Sequence, residues 1–282
     1  METVLLYCSS FDPIDNACLL SAIAACEVYS AKKVIFMPFL RKLNGETCEA
    51  SFLNRYNMLK SILHERDEDD FLFPFFLSKK LSQYSDDLFK VNQYFSEKFK
   101  GTDTDIQIML NREDYLYLKK DGKYSDFYSS GKIIEDLGLK SYEKNSFLDR
   151  YDLPLNVWNY IARKKCYFCD ELSSLLTEKR YLHSISVAKT AYLIARGNHD
   201  DELCQKAFVA GLLHDSGKDL RKEQQREIVE ENFKEFLPVK DFALHQFVSS
   251  YLAKERFHVL EEDILESIRF HCTGKGEMST LD

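Results

Sequence analysis

Apolar and polar positions fall into two regimes along the chain. Near the start, short unbroken apolar runs flank a stretch of helical periodicity: Thr3 to Tyr7 predicts a buried strand, Asn16 to Tyr29 a helix and Lys33 to Met37 a second strand. Strands joined by a helix of this size lie parallel in one sheet, and the loop after the first strand, Cys8 to Asp15, then faces the ligand crevice of that sheet. From about Lys165 the pattern changes to long helical repeats with few strand candidates. This predicts an α/β Rossmann-like domain over 1–165 and an all-α domain over 166–282, with the boundary near 163–170. In the second domain His183, Val187, Thr190 and Ala191 share a helical face, which predicts that His183 points towards a core. The apolar run Ala210-Gly211-Leu212-Leu213 ends abruptly in His214-Asp215. Two interior stretches carry little chemistry: the acidic run from His64 to Asp70 reads as a solvated face, and the aromatic run from Phe71 to Leu77 as core or interface.

Composition narrows the function classes. Apolar residues make up 45% of the 282 and charged ones 30%, the balance of a globular chain with room for two cores. A net charge of -8 gives no general attraction to nucleic acid or to an anionic membrane, so a phosphate-bearing ligand needs a local cluster of positive groups or a metal. A small anionic substrate remains compatible. The N-terminus lacks the flanks of a signal peptide, and no run is long enough to span a bilayer, which together predict a cytoplasmic protein. The 8 cysteines show no disulfide rhythm, and Cys166-Tyr167-Phe168-Cys169 lacks a second pair, so ordinary packing is expected there. The oligomeric state is not legible.

Histidines carry the sharper signal. His183, His214, His245 and His271 fall in four separate helical segments, and Asp215 follows His214 directly. Neutral imidazoles and a carboxylate suit a divalent transition metal, as one ion or as two bridged by water whose pKa would fall to about 7. His199 and His258 stand outside this set, in turn-like contexts, and are expected to be exposed.

The loop after the first strand carries a family resemblance. Ser10-Phe11-Asp12-Pro13-Ile14 is similar to the G-G-S-F-D-P-I-H-x-G-H signature of nicotinate mononucleotide adenylyltransferases. Weaker echoes follow in Asn54-Arg55-Tyr56-Asn57-Met58-Leu59 and in Asn145-Ser146-Phe147-Leu148-Asp149-Arg150. The resemblance implies a nucleotidyltransferase fold with a nucleotide site drawn from Ser10, Phe11, Asp12, Asp15, Cys18 and Arg150. Cys8 and Ser9 replace its paired glycines, while Asp15 and Cys18 replace its two histidines, which implies a degenerate site. An aspartate beside a triphosphate has the wrong sign.

A second resemblance covers about 170–282. Lys179-Arg180-Tyr181-x-His183-Ser184, Gly211-Leu212-Leu213-His214-Asp215-x-Gly217-Lys218-Asp219 and His271-x-Thr273-Gly274-Lys275-x-x-Met278 resemble the HD superfamily, and within it the bacterial symmetrical diadenosine tetraphosphate hydrolases. The resemblance implies His183, His214, Asp215, His245 and His271 as ligands of one or two divalent ions, iron or manganese. It implies Asp215 and Lys218 as the catalytic pair, and Arg180, Lys218, Arg221, Thr273, Gly274 and Lys275 as the phosphate holders. It also implies a further aspartate ligand just beyond Asp282, which leaves the set one carboxylate short. Such a hydrolase fused behind the adenylyltransferase is a known bacterial arrangement. The expected reaction is symmetrical cleavage of a dinucleoside polyphosphate; adenylyl transfer in NAD biosynthesis, another HD substrate and a non-catalytic nucleotide or metal sensor remain open.

Overall fold

The computed structural model describes residues 2–65, 72–74, 87–137, 146–277 and 279–281. The expectations for the side chains of 64–77, together with Met278 and Asp282, lie outside the described residues. The chain divides into two compact units, Met1–Tyr142 and Glu143–Asp282.

The first unit is a parallel sheet with helices between its strands. Its elements are β1 (Glu2–Ser9), α1 (Asn16–Val28), β2 (Ala31–Pro38), α2 (Phe52–Glu65), β3 (Leu72–Pro74), α3 (Leu88–Lys98), β4 (Thr104–Leu110), α4 (Arg112–Asp121), α5 (Ser125–Ser129) and β5 (Ile133–Glu135). The strand order is β3-β2-β1-β4-β5, with every neighbouring pair parallel. Leu6 of β1 lies opposite Ile35 on one side and Ile108 on the other, so β1 is central and buried on both faces. That position explains its unbroken apolar run. The order reverses between β1 and β4, and the carboxyl ends of these two strands form the crevice of a Rossmann-like sheet. The opening β-α-β unit follows the hydrophobic pattern of the sequence.

The second unit is all-α among the described residues. It comprises α6 (Phe147–Arg150), α7 (Leu155–Lys164), α8 (Phe168–Leu175), α9 (Glu178–Ala195), α10 (Asp201–Leu213), α11 (Lys222–Asn232), α12 (Leu244–Glu255) and α13 (Glu262–Phe270). The division between the units falls before the expected 163–170 region, and α6 and α7 belong to the second unit. The physical reason lies in one face of α7. Trp158 is fully buried, its ring stacks on Phe208 of α10 at 4.8 Å, and its indole N–H donates to Gln205 at 2.6 Å. Tyr181 of α9 donates its hydroxyl to the Ala162 carbonyl at 2.6 Å. Hydrophobic periodicity announces that α7 buries a face but does not say against which partner.

Gly211 fixes how closely α9 and α10 approach. A Cβ at this position would lie 2.8 Å from the Ala188 Cα, so only glycine permits the contact that sets the end of α10 beside α9. No helix among the described residues is long and apolar enough to cross a membrane.

Candidate metal centre

Two helix ends shape the site. His214 and His271 each follow the last residue of a helix, α10 and α13, where carbonyls have no intrahelical partner. Each ring uses one of them: His214 Nδ1 lies 2.8 Å from the Gly211 carbonyl and His271 Nδ1 lies 2.7 Å from the Ile268 carbonyl. A carbonyl only accepts, so both Nδ1 atoms carry a proton, and in the Nδ1–H tautomer a ring presents a bare lone pair at Nε2.

Those lone pairs face a carboxylate. The Asp215 side chain is 4% exposed, with Oδ1 3.2 Å from His245 Nε2 and 3.7 Å from His271 Nε2, and Oδ2 3.5 Å from His214 Nε2. His245 Nε2 and His271 Nε2 are 3.3 Å apart. The His183 and His214 rings stand 5.4 Å apart by centroid, so the expected ligands from α9, α10, α12 and α13 converge. Lone pairs directed at lone pairs repel, and a cation between them reverses the sign. The donors present therefore fit a metal ion: His183, His214 and Asp215 form one group that could hold it, and His245, His271 and Cys272 a second.

Electrostatics sharpen the picture. Burial holds the His214 pKa down at about 4 against the pull of Asp215 and the Gly211 carbonyl, so the ring stays neutral at pH 7. For Asp215 burial opposes ionisation, but the Lys218 ammonium on both of its oxygens helps hold its carboxyl well below the usual range. Lys218 Nζ sits 3.0 and 3.1 Å from the two Asp215 oxygens.

The loop carrying Asp215 and Lys218 is fastened from outside. Gly217 N–H donates to Ser249 Oγ at 3.0 Å, and the fully buried Gln225 donates its amide to the Leu220 carbonyl at 2.8 Å. Thr273 is tied to α12 by the Gln246 amide at 3.1 Å.

The expected phosphate holders are spread more widely. Lys218 is in the cluster, whereas Arg180 pairs with Asp219, Lys275 with Glu266 at 2.8 Å, and Arg221 Nε with Gln224 at 3.3 Å. Gly274 takes a positive φ of 65° and donates its N–H to the Phe270 carbonyl at 2.7 Å, turning the chain after His271.

The expectation that His183 points into a core is corrected. The buried face of α9 carries Tyr181, Ser184, Ile185 and Ala188, and His183 lies off it, exposed at the rim of the cluster. His199 and His258 are exposed. Cys272 escapes sequence reasoning because it fills the variable position of H-x-T-G, yet its Sγ lies 3.3 Å from His245 Nε2.

In the first unit, the residues expected around a nucleotide do structural work. Asp15 caps α1 by accepting from the Cys18 N–H at 2.8 Å, which places a carboxylate where a helix N-terminus would otherwise receive phosphate. Asp12 accepts from the Glu49 and Ala50 amides at 2.6 and 3.0 Å, Phe11 packs between Tyr7 and Phe36, and the Ser10 carbonyl accepts from the buried Arg55. Arg150 belongs to the second unit, where its guanidinium lies over the Tyr151 ring. At the β1 and β4 ends, Asp114 accepts from Asn111 at 3.0 Å, and Tyr7 donates to Asp136 at 2.8 Å. Burial, with Glu113 nearby, pushes the Asp114 pKa up to about 7 against the hydrogen bonds of Asn111 and Ser9.

Comparison with known proteins adds a family to this geometry. Residues 180–281 match the HD domain. The second unit carries an HD domain. The matched span contains each histidine of the cluster and Asp215. Over 300 aligned residues the chain is 27% identical to the "Probable nicotinate-nucleotide adenylyltransferase/Ap4A hydrolase" of Mycoplasma genitalium, which covers 100% of this chain and 85% of that protein. Over 109 residues it is 37% identical to the "Bis(5'-nucleosyl)-tetraphosphatase, symmetrical" of Halalkalibacterium halodurans, which covers 38% of this chain and 57% of the relative. The part before the HD domain is similar to the "Probable nicotinate-nucleotide adenylyltransferase" of Aquifex aeolicus, 29% identical over 130 residues, 46% of this chain and 74% of the relative.

Proposed function

We propose that the HD domain is a metal-dependent nucleotide phosphohydrolase that cleaves dinucleoside polyphosphates symmetrically to nucleoside diphosphates. The observation that carries the metal part is the set of Nε2 lone pairs turned onto Asp215 by the carbonyls of Gly211 and Ile268. The similarity to relatives named as symmetrical tetraphosphatases supports the substrate class.

His183, His214 and Asp215 would hold one divalent ion, and His245 and His271 a second, with the buried Asp215 between the two groups. Bound ions would supply a nucleophile from water at neutral pH and offset the charge of the phosphate chain. The protein's own part is positional. The helix ends fix the imidazole tautomers, and Lys218 holds the Asp215 carboxylate in place and adds a positive charge beside the reacting phosphate. Arg180, Arg221 and Lys275 would complete the binding of phosphate by exchanging their present partners. The pairs of Arg180 and Lys275 are partly exposed and worth about 0–1 kcal/mol each, so exchange costs little. For the first unit we infer a nucleotidyltransferase fold that no longer transfers adenylyl groups, because Asp15 occupies the end of α1.

Metal analysis of the purified chain, followed by a nucleotide hydrolysis panel with His214→Ala as control, tests the reading. Release of pyrophosphate from ATP and nicotinate mononucleotide would overturn the inference for the first unit.

A further inference from the structure

The geometry points to Cys272 as a metal ligand in this chain, joining His245 and His271 around the second ion; this rests on the metal reading proposed above. The three donors form one group, with their ligand atoms all within 4.8 Å of one another. Two of the separations are 3.3 Å, from His245 Nε2 to His271 Nε2 and from His245 Nε2 to Cys272 Sγ. In a tetrahedral site with metal–nitrogen bonds of about 2.0 Å and a metal–sulfur bond of about 2.3 Å, the corresponding edges are about 3.3 and 3.5 Å. Asp215 Oδ1 lies 3.2 and 3.7 Å from the two imidazole nitrogens, on the side of the first group.

Packing does not explain the position of the thiol. Cys272 is exposed, so its side chain fills no core, and yet its sulfur is turned onto the ring nitrogen of a histidine that is 3% exposed. The backbone holds it there: Cys272 N–H donates to Gln246 Oε1 at 3.1 Å, and Gln246 is fully buried on α12 next to His245. The same side chain therefore ties the cysteine to the helix that carries its partner ligand.

Binding would break the S–H bond, release the proton to solvent and form a metal–sulfur bond with the thiolate electron pair. A thiolate is a soft donor. It biases the second ion position towards zinc, cobalt or ferrous iron over manganese or magnesium, while the first group, with two imidazoles and a carboxylate, keeps a harder set.

Titration of the metal-free full chain with cobalt(II) tests the assignment. The expected result is a near-ultraviolet sulfur-to-cobalt charge-transfer band beside the visible cobalt bands. Cys272→Ala should lose the first and keep the second, with zinc affinity at the second position down at least about tenfold. Cys26→Ser should keep the charge-transfer band. A parallel measurement needs no variant: zinc should slow alkylation of Cys272, read by peptide mass spectrometry. Visible cobalt bands without a charge-transfer band, or alkylation unaffected by zinc, would overturn the role of Cys272 and leave the metal reading intact. No cobalt uptake at all would overturn both.

Discussion

Asp215 Oδ1 lies 3.2 Å from His245 Nε2 while Lys218 Nζ lies 3.0 Å from the same oxygen, so one buried carboxylate is shared between an imidazole and an ammonium. Burying an ionised carboxylate is costly unless its oxygens are paired, and here each oxygen is. Replacing it by the isosteric amide separates charge from shape. Asp215→Asn should lower divalent-metal affinity by about 10- to 100-fold with the helical fold retained. Calorimetric titration with manganese and zinc, alongside circular dichroism, checks this; unchanged affinity would remove Asp215 from the metal site.

Close approach of α9 to α10 is a second point of sensitivity. In Gly211→Ala the added methyl would meet the Ala188 backbone at 2.8 Å, and neither partner is a flexible side-chain end. The helices must separate, at a cost of about 1–3 kcal/mol. Trp158 is the one tryptophan of the chain and lies against α10, so urea unfolding followed by its fluorescence reports on this unit. A midpoint equal to that of the wild type would contradict the packing account.

The first unit should carry a pH signature from Asp114. Its folded-state pKa of about 7 exceeds the usual carboxylate value of about 4, so between these values the folded state binds more protons than the unfolded chain. The sign follows: Asp114 makes stability fall as pH rises from about 4 to about 7, and its cost is fully present above that window. Asp114→Asn should therefore stabilise the protein above pH 7, with a gain that vanishes towards pH 4. Thermal unfolding followed by far-ultraviolet circular dichroism across this range measures the difference. A gain independent of pH would show that burial does not set the Asp114 proton affinity.

Much of this architecture is legible in the sequence where one pattern has one cause. The run from Val4 to Tyr7 is apolar throughout because β1 is buried on both faces, and His214-Asp215 stands out because two polar side chains able to hold a metal follow an apolar helix. Other features need the third dimension. Val157, Trp158 and Ile161 show that α7 buries a face, but only packing reveals Phe208 and Gln205 as its partners. His183 shares a helical stripe with Val187, yet the helix turns Ile185 and Ala188 inward instead. Cys272 joins His245 across 27 positions of sequence, through a backbone bond to Gln246 that no local spacing announces.

The metal site proposed at these helix ends would hydrolyse a nucleotide phosphoanhydride. Product analysis after incubating the metal-loaded chain with diadenosine tetraphosphate, beside His214→Ala prepared in the same way, tests this. Adenosine diphosphate is expected as the sole nucleotide product, with a loss of at least about 100-fold in rate in the variant. A monophosphate and triphosphate pair, or hydrolysis unaffected by His214→Ala, would contradict it.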